Sequence, residues 1–125
     1  SEFIHEAKRV RKSLGGGMRQ VGYLAAAGQY ALKHHIGRLA DDHHRAKMIG
    51  KSLKNISCIE NIRPVETNIV LFDINQTHLK KFNMLLDENH IKASFMGDRT
   101  VRFVTNLSFC DNQLEILLKT LKELH

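Results

Sequence analysis

The stretch that decides the fold class is Asn68-Ile69-Val70-Leu71-Phe72-Asp73. Its β-branched and aromatic residues predict a largely buried strand, whereas the chain before Asn55 has the periodicity of helices. Directly after it, residues 77–89 return to a helical pattern with a leucine and phenylalanine face. The strand therefore marks the change from a helical first half to a mixed second half.

Downstream of this strand, two more short strands are predicted at residues 91–96 and 100–105, joined by a turn at Gly97-Asp98-Arg99. Asp111 can then cap a last helix. Leucines at spacings of three and four give that helix an apolar stripe: Leu114, Leu117, Leu118, Leu121 and Leu124.

Upstream, the pattern predicts three helices, at residues 3–12, 18–34 and 39–53, with a glycine run, residues 15–17, between the first two. The predicted fold class is α+β: three N-terminal helices followed by a small, mainly antiparallel sheet of about three strands covered by helices. We expect residues 1–54 to form a helical segment and residues 55–125 a small α+β domain.

Length and composition fit one modest globular domain. The chain has 125 residues, of which 42% are hydrophobic and 26% charged, and this argues against disorder. The longest apolar run is too short to cross a bilayer, and no signal peptide is recognisable. The two cysteines, Cys58 and Cys110, make no disulfide framework, so the sequence predicts a reducing, cytoplasmic setting.

The net charge of +6 is concentrated in the first half. Residues 1–54 hold 11 Lys and Arg against 4 Asp and Glu, whereas the other 71 residues hold 8 against 9. A basic half is typical of proteins with an anionic partner, such as nucleic acid, a membrane surface or a phosphorylated small molecule. A solvated helical surface would have the same composition.

One candidate anion site is the run Lys12-Ser13-Leu14-Gly15-Gly16-Gly17-Met18-Arg19-Gln20. A glycine run leading into a helix N-terminus would expose backbone N–H groups at the positive end of the helix dipole. Lys12 and Arg19 bracket the run and could add two cations around one phosphate. The run matches neither the Walker loop nor the dinucleotide fingerprint, and a flexible turn between helices is the alternative.

Arg102 is the second candidate. Alternation in Thr100-Val101-Arg102-Phe103-Val104 directs its side chain to the face opposite Val101 and Phe103. A guanidinium fixed on a strand is suited to binding a carboxylate through two parallel hydrogen bonds. The alternative is an ordinary surface arginine on a half-exposed strand.

No other residues form a recognisable catalytic or metal-binding pattern. The pairs His34-His35 and His43-His44 lack the i,i+4 spacing of helical zinc sites, so we predict no metal. Cys58 and Cys110 are interpreted as packing residues, and no Ser-His-Asp arrangement is visible.

Several segments of the sequence resemble a known enzyme family. The sequence is similar to the low-specificity L-threonine aldolases in residues 11–20 and in the following run, Gly22-Tyr23-Leu24-Ala25-Ala26-Ala27-Gly28. These enzymes belong to the aromatic amino-acid β-eliminating lyase/threonine aldolase family of fold-type I pyridoxal-phosphate enzymes. Three further segments agree in order and spacing: residues 38–43, 65–70 and 101–105. One departure is Asn106, where many relatives have histidine.

The resemblance implies retro-aldol cleavage of a threonine-like β-hydroxy-α-amino acid to glycine and an aldehyde, with pyridoxal 5'-phosphate as cofactor. It implies that Arg102 binds the substrate carboxylate and that Arg19, Lys12, Gly16 and Gly17 belong to the cofactor-phosphate region. It assigns no catalytic residue to this chain, because the lysine that forms the Schiff base would lie in an upstream remainder of the same polypeptide.

The resemblance further implies the C-terminal part of a fold-type I enzyme and a homo-oligomer, a dimer or a tetramer, with no nucleic-acid or membrane partner. The isolated chain would then be inactive. The alternative is a non-catalytic scaffold or oligomerisation fragment of such an enzyme, since the small-residue helix at 22–28 would let another backbone approach closely.

Overall fold

A computed structural model describes residues 1–124 and contains a four-stranded antiparallel sheet. The strands are β1 (Ile59–Glu60), β2 (Ile69–Ile74), β3 (Ser94–Met96) and β4 (Thr100–Val104), and their order across the sheet is β1-β2-β4-β3. The segment that decided the fold class is thus a strand with neighbours on both sides. β1 was not predicted, because two residues carry no periodicity and are defined only by pairing with β2.

The helices in this part of the chain are α1 (Glu2–Ser13), α2 (Gly22–His34), α3 (Leu39–Leu53), α4 (Leu79–Glu88, preceded by a 3₁₀ turn at Gln76–His78) and α5 (Asp111–Lys122). The α+β prediction is confirmed, with four strands rather than three. The predicted bounds of α3 agree with the structure, and α5 begins at Asp111 with Cys110 as its N-cap.

One hydrophobic cluster joins one face of the sheet to α3, α4 and α5. Three aromatic rings lie at its centre: Phe72 of β2 is 5.5 Å from Phe103 of β4 and 6.2 Å from Phe82 of α4, measured between ring centroids. The predicted leucine stripe of α5 packs here, with Leu114, Leu117 and Leu121 buried. Since alternate strand residues face opposite ways, the remaining residues of β2 and β4 lie on the other face of the sheet.

The described chain divides into two compact units, residues 1–36 (unit 1) and the residues from Gly37 on (unit 2). Unit 1 contains α1 and α2, and neither helix has a buried residue. Unit 2 contains the sheet, α3, α4 and α5, and the hydrophobic core. The proposed division at residue 54 concerns the parent protein and stays a prediction.

The start of α2 differs from the sequence prediction by four residues, since the helix begins at Gly22 and not at Met18. The glycine run terminates α1, as its three glycines predict, but it does not lead directly into α2. Within residues 1–124, every helix is too short or too polar to traverse a lipid bilayer.

Candidate functional site

Arg102 lies in β4, between β2 and β3, where it pairs with Leu71 on one side and Ser94 on the other. Its neighbours Val101 and Phe103 are buried against the helices, and Arg102 is half-buried. Because alternate residues of a strand point to opposite faces, Arg102 projects from the face away from the helices. This is the placement predicted from the sequence, and it puts the guanidinium on a rigid element.

The Arg102 guanidinium has unsatisfied hydrogen-bonding capacity. Its Nε is buried and has no hydrogen-bond partner in the described chain. A buried polar group without a partner is uncommon in folded proteins and costs free energy, about 1–3 kcal/mol and more for a charged group. A carboxylate bound to this side chain would remove that cost, so the geometry fits an anion site.

Asp73 is a second polar residue on the same face, and the sequence analysis did not single it out. It pairs with Thr100, two residues from Arg102, and accepts hydrogen bonds from Asn61 Nδ2 (2.9 Å), Thr100 Oγ1 (2.7 Å) and Arg63 Nη1 (3.1 Å). The hydrogen bonds from Asn61 and Thr100, helped by Arg63, lower the pKa of Asp73 from 3.8 to about 2.

Asp73 forms its ion pair with Arg63 and forms none with Arg102 within residues 1–124. Its hydrogen-bond donors come from the loop before β2 and from β4. Alternation along residues 69–73 could have indicated that Asp73 shares a face with Leu71, but its donors depend on strand pairing, which the sequence does not reveal.

The glycine run at 15–17 has a different geometry from the one predicted. Gly15 has φ +82°, its N–H donates to the Lys12 carbonyl (3.2 Å), and the Gly16 N–H donates to the Arg11 carbonyl (2.8 Å). These two bonds form a Schellman motif, which closes the C-terminus of α1. The expectation that the run opens a helix N-terminus is therefore wrong, and two of the three glycine amides are already used.

The fold-back of this run brings Lys12 next to Gly17. A Cβ built on Gly17 would lie 3.2 Å from Lys12 Cγ, and one on Gly16 would lie 2.7 Å from Arg11 Cγ, so the last turn of α1 and the run are in close contact. The Gly17 amide and the exposed Arg19 guanidinium donate no hydrogen bond within residues 1–124. The Gly17 amide and the Lys12 and Arg19 cations can bind a phosphate, but the adjacent C-terminus of α1 is the negative end of that helix dipole and opposes an anion.

The histidines and cysteines do not form a site in the described chain. No group of three His, Cys, Asp or Glu residues among residues 1–124 could hold a metal ion. Cys58 is buried, and burial raises the pKa of its thiol, which disfavours the nucleophilic thiolate. Cys110 is exposed, and its backbone N–H donates to Gln113 Oε1 (2.8 Å) at the N-terminus of α5, so its role is in helix capping and not in packing.

Comparison with known proteins extends these observations. The family model described as Beta-eliminating lyase matches residues 1–77, which include the glycine run and β2. The chain is similar to low-specificity L-threonine aldolase 1 of Arabidopsis thaliana, with 41% identity over 106 residues, covering 82% of this chain and 30% of that protein. It is also similar to the low specificity L-threonine aldolase of Escherichia coli K12, with 33% identity over 120 residues, covering 90% of this chain and 33% of that protein.

The chain spans about a third of the length of each of these two relatives. Among solved structures, the ornithine aminotransferase of Plasmodium yoelii matches with a TM-score of 0.52 and 18% identity, over 71% of this chain and 27% of that one. At this identity the match shows similarity of fold alone. Because the family model covers well over half of the chain, and curated relatives align over most of it, the chain belongs to the beta-eliminating lyase family.

Proposed function

We propose that this chain is part of a pyridoxal-phosphate-dependent aldolase that cleaves threonine-like β-hydroxy-α-amino acids to glycine and an aldehyde. Two relatives named as low-specificity threonine aldolases support the substrate class. The observation that carries the proposal is the buried Nε of Arg102, which lacks a partner on the sheet face away from the helices. An amino-acid substrate supplies the carboxylate that this group needs.

The role of Arg102 in this proposal is to bind and orient. A guanidinium donates two parallel hydrogen bonds to a carboxylate, which fixes the rotation of the substrate about that group. Because β4 is paired with strands on both sides, the sheet fixes the backbone of Arg102 and thereby the orientation of the bound carboxylate. Holding the Cα–Cβ bond in one direction is how a positioning residue contributes to the rate.

Unit 1 would contribute to the cofactor-phosphate region through Lys12, Arg19, Gly16 and Gly17. Bound pyridoxal phosphate would supply the delocalisation of the electron pair that remains on Cα when the Cα–Cβ bond breaks. The chain's own part is to hold the phosphate: Lys12 and Arg19 bring positive charge, and Gly17 brings an amide donor. Gly16 allows the run to lie against α1, since a Cβ there would meet Arg11.

The cofactor-anchoring lysine and the residues that hold the cofactor ring would come from the rest of the parent polypeptide. None of the lysines in this chain follows a serine and precedes a glycine, which is the context the family resemblance implies for the anchoring lysine. We therefore place catalysis in the parent protein, acting as a cytoplasmic homo-oligomer, and expect the isolated chain to be inactive.

Steady-state cleavage of L-threonine by the full-length enzyme tests this proposal. Arg102→Ala should raise KM strongly, since loss of one partner of a buried, charge-assisted pair costs roughly 2–5 kcal/mol. Arg99→Ala is the matched control, because Arg99 lies in the same hairpin but is exposed and pairs with Glu60. An unchanged KM in Arg102→Ala, or absence of threonine cleavage in the parent enzyme, would contradict the proposal.

A second function, that of an oligomerisation module without catalysis, is favoured by one observation. Unit 1 exposes a series of large apolar side chains, and covering them requires another protein surface: Phe3, Ile4, Val10, Leu14, Met18, Val21, Tyr23, Leu24, Tyr30, Leu32 and Ile36. Sedimentation velocity of the isolated chain separates the two outcomes. Self-association that Leu24→Lys abolishes would support the module, and a monomer at all concentrations would exclude it.

A further inference from the structure

A further basic surface lies in unit 2 and includes neither Arg102 nor any residue of the glycine run. It is a groove of about 840 Å³ between α3 and the loop that precedes β2. Lys47 and Lys51 line it from α3, Lys54 from the C-cap of that helix, and Arg63 from the loop. These four residues define what we call the basic groove, and no acidic residue is among those that line it.

The shape of the groove depends on Gly50 and on an anchored loop. Gly50 is buried, and a Cβ at this position would lie 2.8 Å from Cγ2 of Val65, so glycine permits the loop to approach α3. The loop is fixed to the sheet because the Arg63 N–H donates to the Leu71 carbonyl (2.9 Å) and Arg63 Nη1 donates to Asp73 Oδ1 (3.1 Å). The groove is therefore a built feature of unit 2.

The three lysine charges that line the groove are not compensated by acidic groups of the described chain, whereas Arg63 is paired with Asp73. Lys47, Lys51 and Lys54 have the spacing i, i+4, i+7, which places them on one side of the helix. Their like charges repel one another and destabilise this part of the helix. None of the three ammonium groups forms an ion pair within residues 1–124. Arg63 uses Nη1 for Asp73 and for the Asn61 carbonyl, and its Nε and Nη2 form no hydrogen bond within residues 1–124.

The length of this row of cations indicates the ligand. Seven residues of helix span about 10 Å, which is longer than a single phosphate group. We propose that the basic groove binds a small-molecule anion with an extended phosphate chain, of the tripolyphosphate type. This site is independent of the proposed aldolase activity, since none of its residues belongs to the substrate or cofactor regions.

The test is a titration of the full chain with sodium tripolyphosphate at constant ionic strength, followed by isothermal calorimetry and by amide shifts in NMR spectra. We expect saturable binding, with the largest shifts in α3 and the loop at 62–65. The double variant Lys47→Gln/Lys51→Gln should weaken binding about tenfold, because it removes two of the groove's cations while glutamine retains helix propensity. Lys51→Arg should retain binding.

The matched control removes two charges elsewhere. Lys119→Gln/Lys122→Gln lowers the net charge equally on the exposed side of α5 and should change the affinity less than about twofold. Circular dichroism verifies that all variants are folded. Equal losses in both double variants, or shifts centred on residues 12–19, would overturn the proposal. Orthophosphate binding as tightly as tripolyphosphate would overturn the extended ligand, and tighter binding of a single-stranded oligonucleotide would overturn the small-molecule class.

Discussion

Units 1 and 2 contain helices of similar length that differ in what they bury. α1 and α2 have 12 and 13 residues and no buried side chain, whereas the 15 residues of α3 bury Ala46, Ile49 and Leu53 among others. All three helices have the apolar spacing that predicts a covered face. The apolar periodicity of a helix therefore indicates a face that needs to be covered, whereas the surface that covers it depends on the rest of the fold.

The largest expected difference between the units concerns core truncation. Phe72→Ala removes a fully buried ring at the centre of the aromatic cluster and should lower the free energy of unfolding by about 3–5 kcal/mol. Leu24→Ala in α2 removes a side chain that is 59% exposed and should change the free energy of unfolding by less than about 0.5 kcal/mol.

Urea unfolding followed by circular dichroism measures both variants. Equal effects of Phe72→Ala and Leu24→Ala would show that unit 1 shares the stability of the core, and would remove the distinction between the units. Amide exchange sharpens the same comparison, because helices of 12–13 residues without packing are marginal in water and should exchange rapidly, unlike α3.

An intermediate effect is expected from the Asp73 cluster, which makes unit 2 sensitive to acid. The pKa of Asp73 is lowered to about 2 in the folded chain, so its hydrogen bonds contribute stability above the unfolded value of 3.8. That contribution, about 1–2 kcal/mol, is lost as the pH falls from about 5 toward 2.

Asp73→Asn removes the titrating group and tests this pH dependence. The variant should be less stable than wild type at pH 7, and the difference should shrink when unfolding is repeated at pH 3. A difference that stays constant between pH 7 and pH 3 would contradict the assignment. No corresponding term is expected from unit 1, where the single ion pair among described residues, Arg9 with Glu6, is exposed on both sides.

The smallest expected effect separates two glycines with the same backbone conformation. Gly15 and Gly97 both have φ +82°, a region that costs an alanine about 1 kcal/mol. Gly97→Ala lies in the β3–β4 turn and should lower the free energy of unfolding of unit 2 by about 1 kcal/mol, which lowers its urea midpoint. Gly15→Ala should reduce helical signal from α1 and leave this midpoint unchanged, and a shared shift would contradict two independent units.

The predictions from sequence were most accurate for elements whose hydrophobic period matches the face that they bury in the core. The bounds of α3, the leucine stripe of α5 and the face of Arg102 all followed from spacing, because each repeats the period of its element against one core. The glycine run ends α1 as three successive glycines predict, but the prediction that α2 follows it directly at Met18 is wrong, since α2 begins at Gly22.

Features that depend on long-range pairing could not be predicted. β1 exists only through its register with β2, in which Ile59 lies opposite Ile74. The donors of Asp73 come from residues 12 and 10 positions before it and 27 after it, and the basic groove needs the close approach of Val65 to Gly50. The carboxylate role of Arg102 came from family resemblance, and the structure adds the unpartnered Nε.

The central claim, that Arg102 binds the substrate carboxylate, is tested most directly by pairing a protein variant with a substrate variant. We would measure kcat/KM of the full-length enzyme and of Arg102→Ala for L-threonine and for L-threoninamide, which lacks the carboxylate. The preference for threonine should fall by about 30-fold or more in the variant, as expected for loss of a charge-assisted pair of at least about 2 kcal/mol. An equal loss on both substrates, with the preference unchanged, would contradict the account.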